Sequence, residues 1–288
     1  MRWQKAKRSD NVVDARGRSA GRRVGGGLSL AGVVVIVVLG LLSGQDPLHI
    51  LGNIAGEALK SAPVQVNEQA PASSDTQSDF VRAILGDTEE TWQQLFHSAG
   101  QQYREPKLVL FSGSIHSACG LASSAVGPFY CPADQRVYLD MAFFKEMEQR
   151  FAAAGDFAQA YVIGHEVGHH VQTLLGVSAR VNAARKRGER MEGANGLLVR
   201  QELQADCLAG VWAHHGQKRH QWLEAGDLEQ ALNAASAIGD DNLQKQARGQ
   251  VVPDAFTHGT SAQRVRWFRV GFDSGQPGRC DTFSASKL

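Results

Sequence analysis

The most restrictive feature of this chain is the segment from Tyr161 to His170, which places two histidines four residues apart with a glutamate directly after the first. In a helix, positions i and i+4 lie one above the other on one face, so the side chains of His165 and His169 can reach one metal ion. The intervening Glu166 can then take a proton from a metal-activated water. The segment predicts a helix with zinc ligands His165 and His169 and with Glu166 as general base.

A catalytic zinc needs a third protein ligand and keeps one position for water. The segment from Arg200 to Gly210 has the apolar spacing of a helix and contains no proline. Glu202 and Asp206 are again four residues apart, so both carboxylates project from one face of that helix. We expect Glu202 to be the third ligand of one catalytic Zn²⁺. Asp206 is expected to accept a hydrogen bond from Nδ1 of a ligand histidine.

These two motifs together resemble those of the gluzincin metallopeptidases, in which His-Glu-x-x-His is completed by a glutamate in the pattern E-x-x-[AS]-D. More narrowly, the chain resembles the bacterial membrane-anchored family called putative neutral zinc metallopeptidases. The narrower resemblance also includes the segments Ser9 to Val12, Gly127 to Asp134, Val137 to Asp140 and Thr257 to Arg264. It implies a zincin-like catalytic domain that hydrolyses peptide bonds, and it implies no particular substrate.

The resemblance also implies a role for His258. Gluzincin-like enzymes often place a histidine or a tyrosine from beyond the third ligand opposite the zinc, where it stabilises the oxyanion. The pair His258 and Arg264 resembles the corresponding string of some membrane metallopeptidases. His258 is therefore a second catalytic candidate, and a histidine in a helix-capping loop is the alternative.

The N-terminal part has the charge and hydropathy pattern of a membrane anchor. Residues 1–24 are rich in arginine and lysine, and no charged residue occurs between Val24 and Gly44. The apolar length is near the lower limit for a bilayer-spanning helix. A cleaved signal peptide and a buried core helix are the alternatives. The long basic segment, the lack of an A-x-A site and the lack of a polar stripe favour an uncleaved anchor.

The chain is therefore expected to have four parts. They are a cytoplasmic basic segment (1–24), a transmembrane anchor (25–44), a small, polar and flexible linker (45–77) and a zinc metallopeptidase domain (78–288). Because basic residues that flank a span stay in the cytoplasm, a single crossing would place the domain on the outer, periplasmic side of the bacterial cytoplasmic membrane.

The cysteines agree with an exported domain. All four follow the apolar segment, and an even number in an oxidising compartment suggests two disulfides. The short loop between Cys119 and Cys131 favours that pair and leaves Cys207 with Cys280. The other pairings and a free, buried Cys207 remain open.

The fold class expected is α+β: a helix-dominated zincin-like domain with a small sheet ahead of the zinc helix, preceded by one transmembrane helix. Strands are predicted at 107–112, 122–130 and 136–139, and helices at 79–102, 141–151, 156–175, 178–187, 200–215, 228–247 and 261–272. Gly86 is expected to interrupt the first helix, with Asp87 capping its second part. An extended peptide substrate could add to an edge strand near Ala122 to Gly127.

The sequence favours a zinc-dependent endopeptidase that acts on extracytoplasmic polypeptides. A net charge of +1 with 20% charged residues gives no basic surface for nucleic acid. A non-catalytic, membrane-anchored zinc scaffold and a zinc amidase acting on cell-wall peptides are the alternatives. Glu166 argues against the scaffold, because a structural metal site needs ligands but no base. The oligomeric state is not indicated.

Overall fold

The computed structural model describes residues 1–16, 75–123, 127–151 and 155–288. The predicted anchor at 25–44 and nearly all of the predicted linker lie outside the described residues. Within the described ranges, none of the helices combines the length and the apolar character that a membrane crossing requires.

Six strands are described, and four of them form one mixed sheet in the order β1-β2-β6-β5. Their bounds are β1 Val12–Asp14, β2 Lys107–Phe111, β3 Ser114–Ser117, β4 Gly120–Ser123, β5 Phe129–Cys131 and β6 Arg136–Asp140. Strands β1, β2 and β6 run parallel, and β5 runs antiparallel to β6. Strands β3 and β4 pair separately as a hairpin.

The α-helices that the structure describes enclose the core. They are α1 Thr76–Ser98, α2 Ala142–Phe151, α3 Asp156–Leu174, α4 Val177–Lys186, α5 Leu197–His220, α6 Asp227–Ala237, α7 Asp240–Arg248 and α8 Ser261–Ser274. Helix α3 carries the His-Glu-x-x-His motif and is buried along most of its length. A helix buried on all sides is supported by its neighbours, here chiefly α5 and α6. The expected helix-dominated α+β architecture is confirmed.

Both disulfides favoured by the spacing are present. The Cys119–Cys131 bond ties the turn of the β3–β4 hairpin to strand β5. The Cys207–Cys280 bond ties α5 to the turn that follows α8. Cys207 is therefore not free.

Helix α1 is continuous, so the predicted interruption at Gly86 is wrong. A Cβ at Gly86 would lie 2.4 Å from the carbonyl oxygen of Lys7, so the glycine allows the N-terminal segment to pass close to the helix. Asp87 is not a helix cap either. It is buried and accepts hydrogen bonds from the guanidinium of Arg219 and from Nε1 of Trp212 on α5.

Two other predicted elements are divided in the structure. The predicted strand at 122–130 contains the end of β4 and the separate strand β5, and residues 124–126 of the predicted edge segment lie outside the described residues. In the four-stranded sheet, β5 is one of the two edge strands, and β1 is the other. The predicted helix at 228–247 ends at Ala237 and begins again at Asp240. Gly239 lies between them, where a Cβ would be 2.5 Å from the backbone nitrogen of Ser261.

The N-terminal segment is part of the folded domain, which corrects the predicted domain boundary at residue 78. Residues 1–16 belong to the same compact unit as residues 75–288. Strand β1 pairs along β2, and the buried Trp3 packs edge to face on Phe80 of α1, with ring centroids 5.3 Å apart. Two strands can pair only within one compartment. Residues 1–16 therefore do not form a segment separate from the folded domain.

Candidate metal centre

Helices α3 and α5 approach each other closely at Gly168, inside the His-Glu-x-x-His motif. A Cβ at Gly168 would lie 2.8 Å from the carbonyl oxygen of Ala205. Only a glycine tolerates this distance between two helix backbones. Because Ala205 lies between Glu202 and Asp206 in sequence, the close contact places both carboxylates of α5 beside the histidines of α3.

The three predicted ligands converge at this crossing. Glu202 Oε2 lies 3.2 Å from His165 Nε2, and Glu202 Oε1 lies 3.4 Å from His169 Nε2. Ligands about 2.1 Å from a tetrahedral zinc are separated from one another by roughly 3.4 Å, so the spacing fits this metal. Two imidazoles and one carboxylate also form a ligand set used by catalytic zinc, with one position left for water.

Asp206 contacts the outer nitrogen of a ligand histidine. Its Oδ1 lies 2.8 Å from His165 Nδ1 and also accepts a hydrogen bond from the hydroxyl of Tyr161. A proton on Nδ1 leaves Nε2 of His165 unprotonated toward the metal position. The carboxylate has no solvent exposure. Asp206 thus occupies the position expected of a group that sets the tautomer of His165.

The electrostatics of the centre favour a cation among its anions. Burial would lower the pKa of His165, but Asp206 and Glu202 outweigh it and raise this pKa to about 10. Burial would raise the pKa of Glu202, but His169 and His165 hold it well below its usual range. Because zinc ligands must be deprotonated, zinc and protons compete for this cluster.

Glu166 lies in a cleft of about 600 Å³ together with the three ligands. It is the residue after His165 and is mostly buried. Strand β5 forms part of the cleft wall. Apolar side chains from several elements line the cleft beside polar ones: Phe129, Phe143, Val162, Ile238 and Leu243. A carboxylate therefore lies beside the ligand cluster, in a cleft with an apolar lining.

His258 lines the same cleft and is half-exposed. Its Nδ1 lies 3.1 Å from Asp240 Oδ1. The other oxygen of Asp240 accepts the backbone N–H groups of Thr257, His258 and Gly259, at 2.7, 2.6 and 3.0 Å. The hydrogen bond that His258 donates to Asp240 raises the pKa of His258. This carboxylate was not singled out by its sequence, because it is 18 residues from His258 and belongs to no motif.

The comparisons agree with this arrangement. The family model described as "Putative neutral zinc metallopeptidase" matches residues 1–283. The chain belongs to this family. Its membership gives zinc as the metal expected at His165, His169 and Glu202.

The chain is also similar to proteins of Escherichia coli and Mycobacterium tuberculosis. The "Uncharacterized protein YpfJ" of Escherichia coli (strain K12) is 47% identical over 290 residues, which cover 99% of this chain and 100% of the relative. The "Uncharacterized protein Rv2575" of Mycobacterium tuberculosis (strain ATCC 25618 / H37Rv) is 47% identical over 196 residues, which cover 65% of each chain. No solved structure matches the chain.

Replacing Gly168 by Ala is expected to weaken zinc binding and to destabilise the fold by about 1–3 kcal/mol, as overpacking does. The added methyl would meet the Ala205 backbone, so α5 must shift and carry Glu202 with it. Zinc titration and thermal unfolding measure the two effects. Gly278→Ala is the control, because a Cβ there meets nothing within 4 Å. Wild-type zinc affinity in Gly168→Ala would show that the close helix contact does not set the ligand geometry.

Proposed function

We propose that this protein is a zinc-dependent endopeptidase with one catalytic Zn²⁺ held by His165, His169 and Glu202. The observation that carries the proposal is the position of Glu166. This carboxylate lies with the three ligands in a cleft that is partly walled by an edge strand. A structural metal site would need neither a base nor a cleft.

Peptide hydrolysis follows from the chemistry of these groups. His165, His169 and Glu202 would hold the zinc, which when bound would supply a Lewis acid for the carbonyl and would lower the pKa of water to near neutrality. Glu166 accepts a proton from the attacking water as the C–O bond forms, and passes it to the amine nitrogen as the C–N bond breaks. His258, oriented through Nδ1 by Asp240, donates from Nε2 to the carbonyl oxygen as negative charge develops there.

Strand β5 supports binding of the substrate as an extended polypeptide. Within the described sheet it is an edge strand that pairs only with β6, and Phe129 and Tyr130 on it line the cleft. An edge strand presents backbone N–H and C=O groups to which a peptide can add as a further strand. The apolar lining of the cleft favours a large apolar side chain next to the scissile bond. This binding mode favours polypeptides over short cell-wall peptides.

A library of peptides blocked at both ends tests the proposed activity. The zinc-loaded chain should cut internal bonds beside large apolar residues, as read by mass spectrometry. A chelator should stop the cleavage, and added zinc should restore it. A zinc-loaded protein that cuts none of the blocked peptides but releases amino acids from cell-wall peptides would favour the amidase instead.

Replacing His258 by Gln is expected to lower kcat by about 10²–10³-fold, the loss measured when one oxyanion donor is removed. Zinc affinity should stay unchanged, because His258 is not among the three clustered ligands. Hydrolysis rates and a zinc titration on the same preparation separate the two quantities. Wild-type kcat in this variant would leave His258 with the role of a loop residue only.

For the location of the domain, we propose the outer side of the bacterial cytoplasmic membrane. The two disulfides favour an oxidising compartment. The pairing of β1 with β2 requires residues 1–16 on that side as well. An epitope tag before Met1 should therefore be digested by protease added to spheroplasts. Protection of the tag under conditions that digest the domain would contradict this shared location.

A further inference from the structure

Arg264 of α8 lies against the metal centre, behind residues that line the cleft, and is not itself part of the lining. Its side chain is 2% exposed. The guanidinium donates from Nε to Asp206 Oδ2 and from Nη2 to Asp206 Oδ1, both at 2.9 Å. Nη2 also lies 3.2 Å from the hydroxyl of Tyr161. Arg264 thus makes a bidentate pair with the carboxylate that contacts His165.

The ion pair between Arg264 and Asp206 offsets the unfavourable free energy of burying the Asp206 carboxylate. A carboxylate without solvent exposure tends to take up a proton unless a positive group and hydrogen bonds offset its charge. Burial would raise the pKa of Asp206, but Arg264 and His165 outweigh it and lower this pKa to about 2. The planar guanidinium of an arginine has two parallel N–H donors, a fork that also fixes the plane of the carboxylate. A lysine ammonium lacks this fork and cannot do so.

The packing of α8 holds Arg264 rigidly. A Cβ at Gly210 of α5 would lie 2.1 Å from the carbonyl oxygen of Phe268, and one at Gly271 would lie 1.9 Å from that of Cys207. The two helix backbones therefore touch. A capping box of Thr260 and Gln263 also secures the first turn of α8. Tight backbone contact leaves the guanidinium little freedom to move away from Asp206.

We propose that Arg264 is a positioning residue of the metal centre, which holds the Asp206 carboxylate in one plane through two hydrogen bonds so that Asp206 orients the ring of His165 toward the metal. Arg264 Nη2 lies 3.4 Å from Nδ1 of His165, on the side of the ring away from the metal-facing Nε2, and it acts through Asp206. The proposal depends on the metal-binding part of the proposed function, but not on peptidase activity.

Arg264→Lys tests the proposal, because it keeps the positive charge and loses the fork. The expected result is a zinc Kd raised by about 10- to 100-fold, the loss typical when the partner of a ligand histidine is disturbed. The visible spectrum of the Co²⁺-substituted protein should change as well, since it reports the ligand geometry. Both are measured on the folded full-length chain by metal titration, without a peptidase assay.

Arg219→Lys is the matched control. Arg219 also pairs with a buried carboxylate, donating from Nε and Nη2 to Oδ2 of Asp87, and it lies on α5 roughly 25 Å along the helix from Glu202. This variant should lower the free energy of unfolding and leave the zinc Kd and the Co²⁺ spectrum unchanged. If Arg264→Lys also changes only the stability, Arg264 has a structural role and the proposal is wrong.

Combination with Asp206→Asn shows whether Arg264 acts through Asp206. Asp206→Asn alone should raise the zinc Kd, and adding Arg264→Gln should raise it no further, because the group that Arg264 holds is already altered. The double variant with Asp206→Asn and Arg264→Gln has two neutral side chains at these positions and therefore leaves no unpaired buried charge. It provides the test even if Arg264→Lys does not fold. Independent, multiplying effects of the two substitutions on the zinc Kd would overturn the proposal. Failure of the wild-type protein to bind zinc would instead contradict the proposed function itself.

Discussion

Replacing Glu166 by Gln is expected to lower kcat for peptide hydrolysis by about 10²–10⁴-fold, the contribution typical of general acid–base catalysis. The amide keeps the size of the side chain but cannot accept the proton of the attacking water. Glu166 does not belong to the ligand cluster, so the zinc content and the unfolding temperature should remain those of the wild type. Elemental analysis and steady-state kinetics on one preparation measure both.

Glu148→Gln is the control for this experiment, because it makes the same chemical change at an exposed residue of α2 that does not line the cleft. Its kcat should equal that of the wild type. A fully zinc-loaded Glu166→Gln protein that retains wild-type kcat would exclude Glu166 as the base and would reopen the choice of catalytic groups.

Replacing Trp3 by Ala is expected to lower the free energy of unfolding by about 3–5 kcal/mol, as is usual for a buried tryptophan. Trp3 is 7% exposed and packs on Phe80, and its Nε1 donates to Asp156 Oδ2 at the start of the zinc helix. Because the free energy of unfolding of a domain is only about 5–15 kcal/mol, this single change would remove a large part of it. Chemical denaturation of the full chain measures the loss.

Deletion of residues 1–16 should have a still larger effect, since it also removes β1 and uncovers the edge of β2. We expect a chain that begins at residue 75 to fold poorly and to bind zinc weakly. Lys5→Ala is the control for Trp3→Ala, because Lys5 is exposed in the same short helical turn. Wild-type stability in Trp3→Ala would mean that the N-terminal segment does not belong to the folded domain.

The zinc ligands were predictable because their signal is local. His165 and His169 share a helix face through their spacing, and the same spacing pairs Glu202 with Asp206. Gly168 is also part of the motif, although its role appears only from the contact with the Ala205 backbone. The sequence motif therefore contains both the ligands and the small residue that allows the two helices to meet.

The parts that were missed depend on partners distant in the chain. Strand β1 has three residues and pairs with a strand more than 90 residues later, so it has no local signal. Asp87 resembles a helix cap in sequence, but its partner Arg219 is 132 residues away. Likewise, the contacts of Asp240 emerge only when α7 packs on α6 and α8, and the pairing of Arg264 with Asp206 emerges only when α8 packs on α5. Polar residues with long-range partners are not distinguished by periodicity or by propensity.

The zinc content of the Glu202→Ala variant tests the central claim most directly, namely that His165, His169 and Glu202 hold one catalytic zinc. The wild-type full-length chain should contain one zinc per chain by elemental analysis after dialysis against metal-free buffer. Glu202→Ala should lose most of this zinc, because two histidines alone leave the ion with half of its tetrahedral ligands. One tightly held zinc per chain in Glu202→Ala would contradict the claim and remove Glu202 from the metal centre.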